Sequence, residues 1–315
     1  MPTRPATFTS HPISSRSFSW SACLGLVLAL LLLPAFAAAQ PFGNGFDIGS
    51  NSSAVAADID GDGDMDVLSA SGRNEAIAFY RNGDGTSGDG DGSTWTEIDI
   101  TTEAGNTSNI NRVAAADIDG DGDMDVLSST FNRNGTIAFY QNGDGTSGDG
   151  DGSSWTETEI TNDANFTYNV FATDIDGDGD MDVLSSSGGI TFYRNGDGTS
   201  GDGDGSTWTE TEIPVPVRSH SVFAADIDGD GDMDVLSAFE RNDTIAFYRN
   251  GDGTSGDGDG SSWTETEIAT GADDAQSVFA ADIDGDGDMD VLSASSGDDT
   301  IAFYQNGDGT SGDGD

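Results

Sequence analysis

Beyond an apolar N-terminal segment, short apolar runs alternate with polar turns rich in Asp, Gly and Asn. A first run such as Val113–Ala116 leads into an Asp-rich turn, and Met-Asp-Val-Leu-Ser follows it. Ile-Ala-Phe-Tyr comes after a second turn, and Trp-Thr-Glu-Thr-Glu-Ile comes after a Gly-Asp tract. β-Prone runs bounded by turn residues predict strands. No later stretch has helical periodicity with caps, so the pattern predicts an all-β fold.

The whole pattern is repeated five times. The motif Asp-Ile-Asp-Gly-Asp-Gly-Asp-Met-Asp recurs at spacings of 59, 57, 52 and 56 residues, in units that start near residues 54, 113, 170, 222 and 278. Four strands per unit, repeated radially, predict a β-propeller of four-stranded blades. We expect the Trp-Thr-Glu strand to be the exposed outer one, because it is mostly polar. A strand at residues 46–48 could close a five-bladed ring, or the repeats form part of a larger propeller.

The N-terminal segment predicts export. Residues 1–39 contain Arg4 and Arg16 but no acid, then an apolar run from Cys23 to Leu33, then small residues before Gln40. This order is typical of a signal peptide cleaved near Ala39. The expected organisation is therefore a signal peptide at 1–39, a strand or linker at 40–50, and repeats at 51–315. We expect a secreted or cell-surface protein without a membrane span after cleavage.

The net charge of the chain disfavours some classes of binding partner. The chain has 58 Asp and Glu against 10 Arg, no Lys, and a net charge of −48. Such a chain repels nucleic acid and anionic membranes, and it attracts cations. The only Cys lies in the predicted signal peptide, so disulfides cannot stabilise the exported chain.

The Asp-rich turns are predicted calcium sites. Alternating carboxylates on a turn that contains Gly can converge on one ion, and Ca²⁺ accepts six to eight oxygen ligands. Positions 1, 3, 5 and 9 would supply side chains, and position 7 would supply its backbone carbonyl. The predicted sites are Asp58, Asp60, Asp62, Asp64 and Asp66; Asp117, Asp119, Asp121, Asp123 and Asp125; Asp174, Asp176, Asp178, Asp180 and Asp182; Asp226, Asp228, Asp230, Asp232 and Asp234; and Asp282, Asp284, Asp286, Asp288 and Asp290.

Other ions and motifs fit less well. Mg²⁺ demands stricter geometry, Zn²⁺ would require His or Cys, and an EF-hand would require flanking helices and Glu at position 12, where Ser69 and its counterparts stand. The Gly-Asp tract could hold a second ion through Asp89, Asp91, Ser93 and Glu97, or through Asp149, Asp151, Ser153 and Glu157. We favour an acidic, flexible hairpin tip there. About one Ca²⁺ per repeat would then replace disulfides as the stabilising element.

These residues carry a family resemblance. The Asp-rich core with Val-Leu, followed by Ile-Ala-Phe-Tyr-Arg-Asn-Gly-Asp-Gly-Thr, resembles the FG-GAP/VCBS repeat over nearly all of residues 51–315. The resemblance implies the β-propeller of integrin α-subunits and bacterial surface proteins, with one Ca²⁺ in the loop between the first two strands of each blade. The literal Gly-Ala-Pro signature is absent, Phe-Gly occurs once at residues 42–43, and five units are fewer than the usual seven blades.

Three functions are compatible with this pattern. The first is a calcium-stabilised scaffold for binding or adhesion, whose ligand is an unknown protein or carbohydrate. Its variable connections, Thr161–Tyr168 and Pro214–Ser221, are the expected contact sites. The second is the propeller of an extracellular enzyme acting on polysaccharides, which we disfavour because His220 is the single His after the signal and no acid–base constellation stands out. The third is a passive, salt-adapted surface protein. We therefore expect no enzymatic activity.

Overall fold

The computed structural model describes residues 9–12, 53–71, 76–88, 90–101 and 109–307. All secondary structure in these ranges is β, which confirms the predicted fold class. They contain no helix of the length and apolar character needed to cross a membrane. The predicted signal peptide lies outside the described residues except for Thr9–Pro12, and the predicted closing strand at residues 46–48 lies outside them entirely.

Twenty strands in the described residues form five antiparallel sheets, and in units 1 to 4 the four segments predicted for each unit are the strands of one sheet. Sheet 1 contains β2 (Ser53–Ala57), β3 (Asp66–Ser71), β4 (Ala76–Asn82) and β5 (Trp95–Thr101). Sheet 2 contains β6 (Ile110–Ala116), β7 (Asp125–Thr130), β8 (Ile137–Asn142) and β9 (Trp155–Thr161). Sheet 3 contains β10 (Thr167–Thr173), β11 (Asp182–Ser187), β12 (Ile190–Asn195) and β13 (Trp208–Ile213).

Sheet 4 contains β14 (Ser221–Ala225), β15 (Asp234–Phe239), β16 (Thr244–Asn250) and β17 (Trp263–Ala269). Sheet 5 contains β18 (Ala275–Ala281), β19 (Asp290–Ser295) and β20 (Thr300–Gln305). Its fourth strand is β1 (Thr9–Pro12), which pairs antiparallel with β20. In sheets 1 to 4, the strands follow one another in chain order.

The burial of the strands agrees with the predicted inner and outer positions in each sheet. The Val-Leu strand β7 is buried at every position, because its sheet is covered on both faces. The Trp-Thr-Glu strand β9 has only partly buried and exposed positions, as its polar sequence predicts. The apolar cores therefore lie between consecutive sheets, around the first three strands of each unit.

Consecutive sheets pack in the same way each time. The outer-strand Trp155 of sheet 2 meets Phe79 of sheet 1 edge to face, with 6.3 Å between ring centroids, and Trp208 of sheet 3 meets Phe139 in the same manner. The first strand of each sheet also contacts the first strand of the next. The structure does not close these sheets into a ring. The predicted propeller closure therefore stays a prediction.

Sheet 5 exposes apolar side chains whose counterparts are buried in the preceding sheet. In sheet 5, Ile283 and Ile301 are 44% and 62% exposed, whereas their counterparts in sheet 4, Ile227 and Ile245, are 1% and 0% exposed. Phe279 of sheet 5 is 50% exposed and is the last member of a row of rings with Phe171 and Phe223. The outer face of sheet 5 therefore repeats the apolar surface that the other units bury against their neighbours.

Candidate metal centre

Each Asp-rich loop joins the first two strands of its sheet, and its last carboxylate anchors it. In sheet 1, Asp66 is 1% exposed, and its Oδ2 accepts the Ile59 N–H at 3.1 Å while Oδ1 accepts the Asn82 N–H at 2.9 Å. The other four units repeat both contacts. Strand β3 begins at Asp66, so the strand pairing holds this residue at the base of the loop.

The alternating spacing curls the rest of the loop around its own side chains. Asp58 Oδ2 accepts the Gly63 N–H at 2.9 Å, and Asp62 Oδ1 accepts the Asp64 N–H at 2.8 Å. Gly63 has φ of +94°, a conformation that costs little only for glycine. Each such bond occupies one carboxylate oxygen and leaves its partner oxygen for another ligand.

The loop carboxylates converge as the sequence predicts. In each of three loops, three carboxylates have oxygens that lie within 4.8 Å of one another. These groups are Asp58, Asp60 and Asp62; Asp117, Asp119 and Asp125; and Asp174, Asp176 and Asp182. Together they include all four positions predicted to supply side chains, and the buried position 9 is among them. The backbone role predicted for position 7 stays a prediction.

This convergence is electrostatically costly without a cation. Burial, with a smaller contribution from neighbouring loop carboxylates, raises the pKa of Asp125, Asp182 and Asp234 to about 7. Burial, together with Asp66 and Asp62, also raises the pKa of Asp60 to about 6. A carboxylate pKa is raised where its charged form is destabilised. A bound divalent cation would offset that destabilisation.

Unpartnered oxygens show that the donor set fits such a cation. Asp58 Oδ1 and Asp62 Oδ2 are buried and accept no hydrogen bond. The same two positions recur in units 2, 3 and 4, and Asp286 Oδ2 recurs in unit 5. Buried acceptors normally have a partner, and hard oxygen donors in this number match Ca²⁺. The oxygens at positions 1 and 5 are therefore free to hold an ion, and the carboxylates at positions 3 and 9 that converge with them would complete the set.

One supporting contact was not predicted from the sequence. Asp60 Oδ2 lies 2.7 Å from Arg81 Nε, and Arg194 and Arg249 make the same ion pair with Asp176 and Asp228. In units 2 and 5, the side-chain amide of Gln141 or Gln305 donates to the equivalent carboxylate. The signal was present, because the residue after each Ile-Ala-Phe-Tyr or its variant is always Arg or Gln. These donors orient the position-3 carboxylate.

The Gly-Asp tract is exposed at its tip, residues 144–149, and is hydrogen-bonded to the loop. Asp123 at position 7 accepts the N–H groups of Gly148 and Gly150 through Oδ2 at 2.8 and 2.9 Å. Asp149 joins Asp121 and Asp123 in a further group of carboxylates. The structure therefore places Asp149 of the tract beside two acids of the loop. The predicted second ion site had instead drawn all of its ligands from the tract and the residues that follow it.

A buried Asn connects each of the first four loops to the sheet that follows it. Asn142 Nδ2 of sheet 2 donates to Ile59 O in the sheet 1 loop at 2.8 Å, and also to Met124 O and Gly150 O. Asn195, Asn250 and Asn306 make the same contact with the preceding loop. The loops, the tracts and the sheet packing therefore form one continuous network.

The end of the sheets opposite these loops differs from unit to unit. The two variable connections predicted to contact a partner meet there: the rings of Tyr168 and His220 are in contact, with centroids 4.4 Å apart and planes inclined by 35°. Arg218 lies over the rings of Phe166 and Tyr168 at 5.4 and 5.7 Å. The sequence marked these connections as unusual but gave no sign that they touch.

Comparisons with known proteins agree with the repeat. A family model described as "FG-GAP-like repeat" matches residues 58–128, 183–237 and 230–293, together more than half of the chain. A search of curated proteins finds no match. Among solved structures, the chain is similar to the crystal structure of the V. cholerae biofilm matrix protein Bap1, with 16% identity and a TM-score of 0.43. The likeness covers 84% of this chain and 38% of that one.

Proposed function

Because the chain belongs to the family of FG-GAP-like repeat proteins, we propose that it is an extracellular binding scaffold in which one Ca²⁺ stabilises each repeat. The proposed architecture is a β-propeller whose blades are the five sheets. The repeated head-to-tail packing of consecutive sheets supports this arrangement. No catalytic step forms part of the proposal.

The unpartnered loop oxygens carry the calcium part of the proposal. They recur at the same positions from unit to unit, in a chain whose net charge is −48. Extracellular calcium modules bind with a Kd of roughly 10⁻⁴–10⁻³ M. At free calcium about ten times Kd, each site adds about 1.4 kcal/mol to the free energy of unfolding. Five sites would then stabilise the fold by about 7 kcal/mol, comparable to a typical domain's whole stability.

The sequence of the N-terminal segment supports the extracellular part of the proposal. The N-terminal segment has the order of a signal peptide, and a fold that requires calcium in this concentration range would not be loaded in a calcium-poor compartment. The scaffold role is supported by the arrangement of the two ends. One end is repeated and rich in acids, while the other carries side chains that change from unit to unit.

Calorimetric calcium titration of the metal-free protein tests the proposal. We expect a stoichiometry near five, one ion for each Asp-rich loop. A stoichiometry near nine or ten would show that groups such as Asp121, Asp123 and Asp149 bind further ions. The variant D121N/D178N removes a position-5 carboxylate from two loops and should lower the stoichiometry or the affinity, whereas D163N, outside every loop, should not. Absence of calcium binding would overturn the proposal.

A further inference from the structure

We propose that the outer face of sheet 5 binds the outer face of sheet 1 in a second copy of this chain, so that copies associate head to tail. The association goes beyond the proposed function, because a calcium-stabilised scaffold does not require a partner copy. Its basis is that sheets 1 and 5 expose opposite halves of an interface that the described residues build four times between consecutive sheets.

Each internal interface has two different halves. In the core between sheets 4 and 5, the earlier sheet contributes Ile227 of its loop, Leu236 of its second strand and Ile245 of its third. The later sheet contributes Val278 of its first strand and Tyr304 of its third. The other three cores repeat this division, with Ile and Leu from the earlier sheet and Val and Tyr from the later one. The interface is therefore directional, and its two halves are not interchangeable.

The outer face of sheet 5 exposes the half that an earlier sheet contributes. Ile301 is 62% exposed, whereas its counterpart Ile245 is completely buried. Leu292 is partly exposed, whereas its counterpart Leu236 is completely buried. Ile283 of the loop belongs to the same half, as the exposures given above for sheet 5 indicate. Adjoining apolar side chains left exposed in this way are typical of an interaction surface.

The outer face of sheet 1 exposes the half that a later sheet contributes. Ala54 is paired with its second strand in the register that Val113 has in sheet 2, yet Ala54 is exposed whereas Val113 is only 4% exposed. Val67 is partly exposed, whereas its counterpart Val126 is completely buried. Ala56, which follows on the same side of the strand, is exposed as well. The first and last sheets of the chain are therefore complementary.

Polar groups match in the same direction. Asn306 Nδ2 of sheet 5 donates to Ile227 O in the loop of sheet 4 at 2.7 Å, and each of the other internal interfaces has the same bond. Sheet 1 carries the equivalent Asn, Asn82, and the loop of sheet 5 carries the equivalent carbonyl, on Ile283. A bond from Asn82 of one copy to Ile283 O of another would continue the series. Because hydrogen bonds are directional, this match favours a complementary sheet over an arbitrary apolar partner.

A second copy is the partner that carries the matching half. The exposure of both outer faces shows that sheets 1 and 5 of one chain do not cover each other in the described residues. The four internal interfaces show that the two halves fit when they meet. Contacts between two different patches are heterologous, so copies would add one after another until their rotation closes a ring, or without closure.

Sedimentation velocity of the full chain tests the proposal, at saturating calcium and physiological ionic strength, where repulsion between the acidic chains is screened beyond about 8 Å. The wild-type protein should self-associate as its concentration rises. Ile301→Arg and Ala54→Arg, at exposed positions of the two outer faces, should each weaken association about tenfold or more, because assembly would bury an unpaired charge. The control Thr156→Arg, at an exposed position of β9, should change association about twofold or less.

A mixture of the two interface variants identifies which faces pair. Ile301→Arg keeps the outer face of sheet 1 intact, and Ala54→Arg keeps the outer face of sheet 5 intact. An equimolar mixture should therefore form one-to-one dimers, although neither variant associates alone. These dimers should not grow, because the two faces left at their ends carry the substitutions.

The outcomes separate head-to-tail association from the proposed function. A wild-type protein that stays monomeric, association that only one of the two variants abolishes, or a mixture that stays monomeric would overturn the pairing of these faces. Calcium binding by the same protein would leave the proposed scaffold intact. In dilute solution, where copies are separate, each variant should keep the wild-type melting temperature in calcium. A lower melting temperature of both monomeric variants would mean that sheets 1 and 5 meet within one chain, which would also overturn the association.

Discussion

The two ends of the sheets follow opposite rules. At the loop end, each unit repeats the same contacts, such as the bond from Asn142 to Ile59 O and that from Asn250 to Ile175 O. At the other end, one equivalent place holds Tyr168 in sheet 3 and His220 in sheet 4. The repeated contacts lie where every unit must hold its loop and pack against the next sheet. The side chains that vary between units lie where the fold tolerates different residues, so that they can be selected for binding a ligand.

Removal of calcium should have the largest effect, because it acts on every loop at once. In excess EGTA, we expect the free energy of unfolding to fall by about 7 kcal/mol relative to calcium at ten times Kd. The β signal in far-UV circular dichroism should melt at a much lower temperature, and readdition of calcium should restore it. Magnesium at the same concentration serves as the control ion. An unchanged melting curve in EGTA would show that calcium does not stabilise the loop end.

The Asn that joins sheet to loop should have the next largest effect. Asn250 Nδ2 donates to Ile175 O, Met233 O and Gly258 O, and its Oδ1 accepts the Gly260 N–H. Asn250→Ala leaves buried groups unpaired, and each unpaired group costs about 1–3 kcal/mol. We expect a loss of about 3 kcal/mol in urea unfolding.

The matched control for Asn250→Ala is Asn82→Ala in sheet 1. Among the described contacts of Asn82, Nδ2 donates to Met65 O of its own sheet and to no carbonyl of another sheet. The loss should therefore be smaller by about 1 kcal/mol or more. Equal losses would mean that the bond between sheets contributes little.

Two glycines near the loop end test the packing of consecutive sheets. A Cβ on Gly205 would lie 2.4 Å from Phe139 Cζ of the preceding sheet, whereas a Cβ on Gly92 would meet nothing within 4 Å. Both have positive φ, +71° and +74°. Gly92→Ala should cost about 1 kcal/mol from the backbone alone. Gly205→Ala should cost about 1–3 kcal/mol more, because Phe139 must move. Thermal unfolding at constant calcium would show equal losses if the sheets were not packed in this way.

The loop end was largely predictable from the sequence because its signals are local. Alternating Asp and Gly between Asp58 and Asp66 determine a turn, and the convergence of its carboxylates follows from nine residues. The four strands of units 1 to 4 were predictable for the same reason, whereas β1 as the fourth strand of sheet 5 was not. The contacts of Arg81 and Asn142 were not, because they depend on the pairing of strands and on the neighbouring sheet.

The opposite end was predictable only as a location. The sequence marked Thr161–Tyr168 and Pro214–Ser221 as variable, but residues 50 or more positions apart meet there, as Arg218 and Tyr168 do. The contact between the Gly-Asp tract and the loop was missed for a related reason. The composition of the tract is typical of a solvated tip, yet the side chain of Asp123, 25 residues earlier, accepts the Gly148 N–H and holds the tract in place.

Substitutions at the variable end should have the smallest effect on stability. Tyr168→Asn and His220→Gln introduce the residues that stand at the same place in units 2 and 5, Asn111 and Gln276, so the fold already accommodates them. Tyr168 is only half-buried, and loss of its aromatic contacts should cost about 1 kcal/mol or less. Calcium stoichiometry should not change. A loss as large as that for Asn250→Ala, measured in the same urea titration, would show that the variable end also carries the stability of the fold.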